Sequence, residues 1–217
     1  MKDIILFPFN GNAKEAASVI ADINKDKKTW NLLGFIDDDP DARGKNFSGI
    51  PVLGGREHLK RHPGVSVLAV PGRPDNFMRR QEIILSLGIA PEQLATIIHP
   101  TAVMGLNVEV GRNCLIMPGV VITADVRLGN HVVILPHSVI SHDSVINDYV
   151  MIGSNVSVSG RVTIGACAYI GTGTKIIQEI TIGEKALVGM GAVVIRSVAD
   201  GDVVAGNPAI FLKKAVK

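Results

Sequence analysis

Residues 134–164 read ILPHSVISHDSVINDYVMIGSNVSVSGRVTI. Every sixth residue is isoleucine or valine: Ile134, Ile140, Ile146, Ile152, Val158 and Ile164. The series extends both ways. Upstream it runs through Ile98, Met104, Val110, Ile116, Ile122 and Leu128; downstream through Ile170, Ile176, Ile182, Val188 and Val194. All seventeen residues are aliphatic. A period of six fits neither the 3.6-residue helix nor the two-residue alternation of a strand. It fits a coil with three flat faces, each one short strand and one turn. The first residue of each hexad points inward and stacks on its equivalent one coil away. The next residue is often glycine, as at Gly105, Gly111, Gly129, Gly153, Gly165, Gly171, Gly183 and Gly189, where neighbouring turns crowd the backbone. The fifth is small or β-branched (Ala102, Val108, Cys114, Val120, Val126, Val132, Ser138, Ser144), as a second inward position near a corner requires. No hexad hides its apolar side chain alone, so stability accrues between neighbours. Seventeen hexads at three per coil give between five and six coils. The competing reading, a β-sandwich with coincidental spacing, must treat that whole series as chance.

Upstream of residue 96 the hexads vanish. Lys2 to Phe7 reads as a strand and Asn10-Gly11-Asn12 as a turn. Ala13 to Ile23 has helical spacing, and Trp30 to Ile36 is a second strand ending in Asp37, Asp38 and Asp39. Val65 to Val70 is a third strand, and Asn76 to Leu87 a helix closed by Gly88. Strands alternating with helices predict a small parallel α/β, Rossmann-like sheet over residues 1–95, followed by a parallel β-helix over 96–217. Ligands of such sheets bind at the carboxyl ends of strands. The Asn10-Gly11-Asn12 turn and the Asp37-Asp38 pair both fall there, the turn suited to phosphate and an aspartate to a ribose or base. The first turn, PFNGNAKE, is not a complete glycine fingerprint. A structural α/β cap with a solvated acidic loop is the alternative.

The formal net charge of +2 is too small to imply nucleic acid, and no arginine stripe or aromatic-basic interleaving suggests it. Lys213, Lys214 and Lys217 read as a solvated end. Cys114 and Cys167 have no Cys-x-x-Cys spacing, so neither a zinc site nor a redox pair is indicated, and both fit buried thiols in a reducing compartment. No stretch approaches the ~18 apolar residues of a membrane helix, and the N-terminus lacks a signal peptide's pattern. A cytoplasmic protein without membrane insertion is expected.

His131, His137 and His142 lie close in sequence without metal-ligand spacing, so no metal is expected. His142 differs from the other two because a carboxylate, Asp143, follows it in the hexad Ile140-Ser141-His142-Asp143-Ser144-Val145. An imidazole can accept a proton from an attacking amine or hydroxyl near neutral pH, and a carboxylate on its other nitrogen fixes the tautomer. On a straight strand the two side chains diverge. Asp143 can serve only if the turn bends it back. The alternative is a turn histidine making local hydrogen bonds.

The combination resembles a known family. The order of the two units, Phe35-Ile36-Asp37-Asp38-Asp39-Pro40, Ile98-His99-Pro100-Thr101-Ala102, Ile140-Ser141-His142-Asp143 and the ending Gly206-Asn207-Pro208-Ala209 are similar to the bacterial sialic-acid O-acetyltransferases, and above all to members acetylating the amine of a nucleotide-linked amino-deoxysugar. The resemblance covers nearly the whole chain. It implies a left-handed β-helix, a homotrimer, and acetyl-CoA lying between neighbouring β-helices. It implies His142 as general base, Asp143 as its partner, and Asn10, Gly11, Asn12, Asp37 and Asp38 at the sugar nucleotide. It places Gly171, Gly173, Gly189 and Gly191 along the cofactor arm. Direct attack on the thioester needs a donor to the oxyanion, for which a backbone N–H at a coil turn such as Gly160, one full coil on from His142, is a candidate. There are departures: the family's asparagine seven residues before the base is Leu135 here, and its second histidine, nine after, is Met151. The first turn also lacks the usual glycine-glycine-histidine. Acetylation of a sugar hydroxyl, as on sialic acid, and a non-catalytic scaffold are the rival functions. Nucleotide binding by residues 1–95 would disfavour the first, and the intact His142-Asp143 pair argues against the second.

Overall fold

A computed structural model describes residues 1–215. Lys217, the last of the terminal lysines, lies outside the described residues.

Strand β1 (Lys2–Phe7) is the centre of a three-stranded parallel sheet, with β2 (Trp30–Phe35) on one side. A short hairpin, β3 (Asn46–Phe47) and β4 (Ile50–Pro51), follows, and β5 (Ser66–Ala69) pairs with the other side of β1. Ile4, Ile5 and Leu6 are fully buried because both faces of the sheet are covered. Helix α1 (Gly11–Asp26) packs Ala13, Ala16, Ala17, Val19 and Ile20 on the sheet. Its start corrects the expected turn. Asn10 is the N-cap, its side-chain oxygen accepting from the Ala13 N–H at 2.9 Å, and Gly11 is already helical. The second predicted helix is shorter than its pattern: a 3₁₀ turn over Phe77–Arg79 precedes α2 (Arg80–Leu85). The chain tightens there as Arg80 turns wholly inward.

Seventeen two-residue strands follow, from β6 (Ile97–Ile98) to β22 (Val193–Val194), each parallel to its equivalent one coil away, as Val133–Ile134 is to Met151–Ile152. They form a left-handed β-helix of triangular section. Its interior holds the first-position aliphatics, and Ile116, Ile134, Ile152 and Ile170 are fully buried. Ser138 and Ser144 also point inward. Each hydroxyl donates to a backbone carbonyl of the next coil and accepts from an N–H there. A β-carbon on Gly165 would stand 2.5 Å from the Glu184 nitrogen, so the second position does relieve crowding. The left-handed corner lies elsewhere, at the fourth position. From Asn107 to Gly191 every fourth-position residue has φ near +60°, and only Gly119, Gly173 and Gly191 are glycine. Asn, Asp and His fill many of the others, the residues that tolerate this region best. Beyond the coils, β23 (Asp202–Gly206) and β24 (Ala209–Lys214) form a closing hairpin.

The three faces differ. On the first, Ile97, Leu115, Val133 and Met151 point outward and are buried under the N-terminal unit. On the second, the outward residues are Val103, Val121, Val139, Ser157, Lys175 and Val193; Val103 is 55% exposed. On the third they are Glu109, Arg127, Val145, Thr163 and Thr181, with Glu109 and Arg127 ion-paired. These are called below the covered, apolar and polar faces.

Polar side chains bolt the N-terminal unit to the covered face. Asn113, at a left-handed corner, pairs both ways with the Ala69 backbone at 2.7 Å and so extends the edge of β5. Its amide also donates to His131 Nδ1 at 3.0 Å, and the His131 ring stacks on Tyr149. Burial, and then the nearby Arg80 cation, push the His131 pKa down to about 4. An unfolded histidine titrates near 6.5, so between those values the unfolded chain binds more protons than the folded one. The resulting stability is complete above pH 6.5 and is lost as pH falls towards 4. Urea unfolding at pH 7 and pH 5 should show it as a loss on the order of 2 kcal/mol that His131→Asn reduces. An equal pH dependence in both proteins would refute the assignment.

Candidate active site

His142 and Asp143 sit on the edge where the apolar face turns into the polar face. Asp143 is the left-handed corner residue, with φ of +58°. That corner turns its carboxylate back, and Oδ2 lies 2.7 Å from His142 Nδ1. Both side chains are exposed. With Nδ1 donating to the carboxylate, Nε2 is the free acceptor. Its direction is set by Gly160, one coil on: a β-carbon there would stand 2.6 Å from Nε2. The ring therefore lies over Gly160, in space that a side chain would fill.

The Gly160 N–H has no partner in the chain among the described residues. On the next edge, equivalent N–H groups are capped by the coil below: Arg112 donates to Asn130 Oδ1 and Asn130 to Asp148 Oδ1. Below Gly160 stands Gln178, not Asn or Asp, so a free donor remains beside the histidine. Together they supply a base with a fixed tautomer and an uncommitted N–H. Gly160→Ala keeps the N–H but forces the ring away. Because the obstacle is the end of a side chain, the melting temperature should barely move. Displacing the base should lower kcat by roughly 10- to 100-fold. A kcat within twofold of the unmodified protein would show that the ring is not held by Gly160.

The second group of predicted residues meets at the carboxyl ends of the three N-terminal strands. Asp37 joins two of the loops there, accepting from the Phe9 N–H through Oδ2 and the Asp39 N–H through Oδ1, each at 2.9 Å. Asn12 Nδ2 donates to the carbonyls of Val70 and Gly72, and Asn10 Nδ2 to that of Val70. Asp38 is instead paired with the Arg56 guanidinium, which holds its carboxyl below the ordinary range. The strand order β2–β1–β5 puts the reversal between β1 and β5, where open α/β sheets bind their ligands.

One chain does not bring all the predicted residues together. Gly171, Gly173, Gly189 and Gly191 lie on the edge between the covered and apolar faces. His142, Asp143 and Gly160 lie on the edge between the apolar and polar faces, opposite the covered face and its N-terminal unit. Leu135 packs against the apolar core, and Met151 is buried, its sulfur beside Gly72. Among the described residues no group of three or more His, Cys, Asp or Glu is placed to hold a metal, and no helix is long and apolar enough to cross a membrane.

Residues 107–142 match the model of the bacterial transferase hexapeptide (six repeats), and residues 13–81 that of the PglD N-terminal domain. PerB from Caulobacter crescentus, solved in complex with CoA and GDP-perosamine, is 27% identical with a TM-score of 0.83, covering 98% of each chain. The acetyltransferase domain of PglB from Neisseria gonorrhoeae is 28% identical with a TM-score of 0.85, covering 98% of this chain and all of its own. WeeI from Acinetobacter baumannii is 28% identical with a TM-score of 0.81 over the same shares. No curated protein sequence matches. The coil and these matches set the chain among the hexapeptide-repeat transferases. Within that class, the chain is similar from end to end to acetyltransferases, among them GDP-perosamine N-acetyltransferase from Caulobacter crescentus.

Proposed function

We propose that the protein moves the acetyl group of acetyl-CoA onto the amine of a nucleotide-linked amino-deoxysugar, with His142 as general base. The observation that carries this reading is the His142–Asp143 pair over Gly160, in a chain that aligns end to end with an acetyltransferase bound to CoA and GDP-perosamine. A thioester carbonyl is already electrophilic, so no covalent enzyme intermediate is needed. His142 Nε2 takes the proton as the amine attacks, Asp143 stabilises the imidazolium, and the Gly160 N–H donates to the carbonyl oxygen as charge develops there; the C–S bond then breaks, the amide forms, and the departing CoA thiolate takes the proton back from the imidazolium. Residues 1–95 hold the sugar nucleotide through Asn10, Gly11, Asn12 and Asp37, with Asp38 fixing the loop through Arg56. Residues 96–217 hold the cofactor. Acetyl-CoA and the buried Cys114 and Cys167 thiols suit a cytoplasmic setting.

The assembly we infer is a trimer about the apolar face. That face carries the outward valines and nothing in the chain covers it among the described residues, whereas the polar face carries an ion pair. Three apolar faces around one axis lay the His142 edge of one copy beside the Gly173–Gly191 edge of the next. The next copy's covered face, with its N-terminal unit, adjoins that same groove. A sugar nucleotide held by one copy then meets the base of its neighbour, which a single chain's opposite placement of the two sites does not allow.

The test is release of the CoA thiol from acetyl-CoA across a panel of nucleotide-linked amino sugars and their hydroxyl analogues, with light scattering on the same sample. Turnover confined to hydroxyl acceptors would overturn N-acetylation. A monomeric mass at micromolar concentration would overturn the intersubunit groove.

A further inference from the structure

We propose that Arg196 binds the phosphates of acetyl-CoA and so sets the direction in which the cofactor lies along the His142 edge. This rests on that edge being the site of acetyl transfer. The same corner site on successive coils is occupied by Ala124, His142, Gly160, Gln178 and then Arg196. The last corner is shortened: Val194 is followed by a bridge from Val198 to Ile182, so Ile195, Arg196 and Ser197 make the whole turn. Coils repeat at the strand spacing, so three coils separate His142 from Arg196 by about 14 Å. From the sulfur to the first phosphorus, the pantetheine arm has the reach of about four extended residues, roughly 14 Å.

The direction follows from what lies on either side. The His142 ring leans over Gly160, towards the later coils. Only two coils lie the other way, where the corner carries Leu106, Asn107 and Asp125, an acid that repels phosphate. Towards the later coils the path crosses Gly160, which has no side chain, and Gln178, whose exposed amide can meet an amide of the arm. Of the two arginines on this stretch, Arg161 is committed to Glu179 at 2.7 Å. Arg196 is exposed and has no acidic partner within salt-bridge distance among the described residues. A guanidinium presents paired donors and a permanent positive charge that match phosphate oxygens.

The experiment compares two thioesters. Acetyl-CoA carries the phosphates, and acetyl-pantetheine has the same reacting end without them. Arg196→Ala should raise KM for acetyl-CoA about tenfold and weaken CoA binding in calorimetry by a similar factor. KM for acetyl-pantetheine and for the nucleotide sugar should stay within twofold, and Arg196→Lys should recover part of the loss. An unchanged KM for acetyl-CoA, or an equal rise with both thioesters, would overturn the proposal. If Arg196→Ala does not assemble, Arg196→Gln carries the same comparison. Should the unmodified protein transfer acetyl to no amino sugar, the reading of the edge fails, and CoA calorimetry on Arg196→Ala still decides this one.

Discussion

His142→Ala should lower kcat by about two to four orders of magnitude while changing either KM far less, the range that positioned general-base catalysis supplies. The loss falls on the chemical step because the imidazole's task is to take a proton as the amine attacks, and binding relies on other groups. His142→Asn should do much the same, since an amide keeps some hydrogen bonding but cannot act as a base. Neither change should disturb the fold. The ring is exposed, and the inward residues of its hexad are Ile140 and Ser144. Asp143→Asn should cost less. Asparagine adopts the left-handed corner as readily as aspartate, so the base remains, with its tautomer and its imidazolium less well supported. Steady-state kinetics on assembled variants checks all three. A His142→Ala enzyme keeping more than about a third of the unmodified kcat would remove His142 from the mechanism. Attention would then pass to His137, whose ring lies over Gly119 on another edge, because His131 is buried and held neutral between Asn113 and Tyr149.

The coil was legible in the sequence because its period is enforced at every repeat: one misplaced charge at Ile134 or Ile152 would open the stack. The site was legible where chemistry and local geometry coincide. His142 and Asp143 are neighbours, and the question of whether the turn bends the carboxylate back is answered by the left-handed corner at the fourth position. That corner had its own signal, the run of Asn113, Asp125, His131, His137, Asp143 and Asn155 at six-residue steps, hidden by the more obvious glycines two places earlier in the hexad. What the sequence could not show was long-range. Nothing near residue 80 marks that arginine as buried, since it sits in a short helix among Arg79, Gln81 and Glu82. Nothing near Asn113 announces that its amide continues a strand forty-four residues away. Nor does any local pattern reveal that the N-terminal unit covers the face opposite His142. That placement follows from which face carries Leu115, Val133 and Met151 outward, and only the three-fold cycle of faces identifies it.

The second large effect is expected at Arg80. Its side chain is fully buried, and its guanidinium donates only to backbone carbonyls: Pro71 at 2.7 Å, Tyr149 at 2.6 Å, Val150 at 3.3 Å and His131 at 3.0 Å. One of these belongs to the loop after β5 and the others to corners of the β-helix, so a single cation joins the two units. Burial lowers its pKa to about 10, which still leaves it charged at neutral pH. Replacing a buried ion pair with apolar residues can be harmless when both partners go. Here the partners are backbone and cannot be replaced. Arg80→Met removes the cost of a buried charge but strands carbonyls from both units without donors, at about 1–3 kcal/mol each. The net loss should be about 3 kcal/mol or more. Arg80→Lys keeps the charge and up to three donors without the planar fork, and should fall between. Urea midpoints at matched subunit concentration measure this. A loss below about 1 kcal/mol for Arg80→Met would mean that water or repacking satisfies those carbonyls. The same variants separate two roles for the joint. The Arg80 bond to Pro71 sits beside the carbonyls that hold Asn10 and Asn12, so a folded Arg80→Lys enzyme should show a raised KM for the nucleotide sugar at an unchanged KM for acetyl-CoA. Equal changes in both would reduce Arg80 to a bolt between the units, with no part in shaping the sugar-nucleotide crevice.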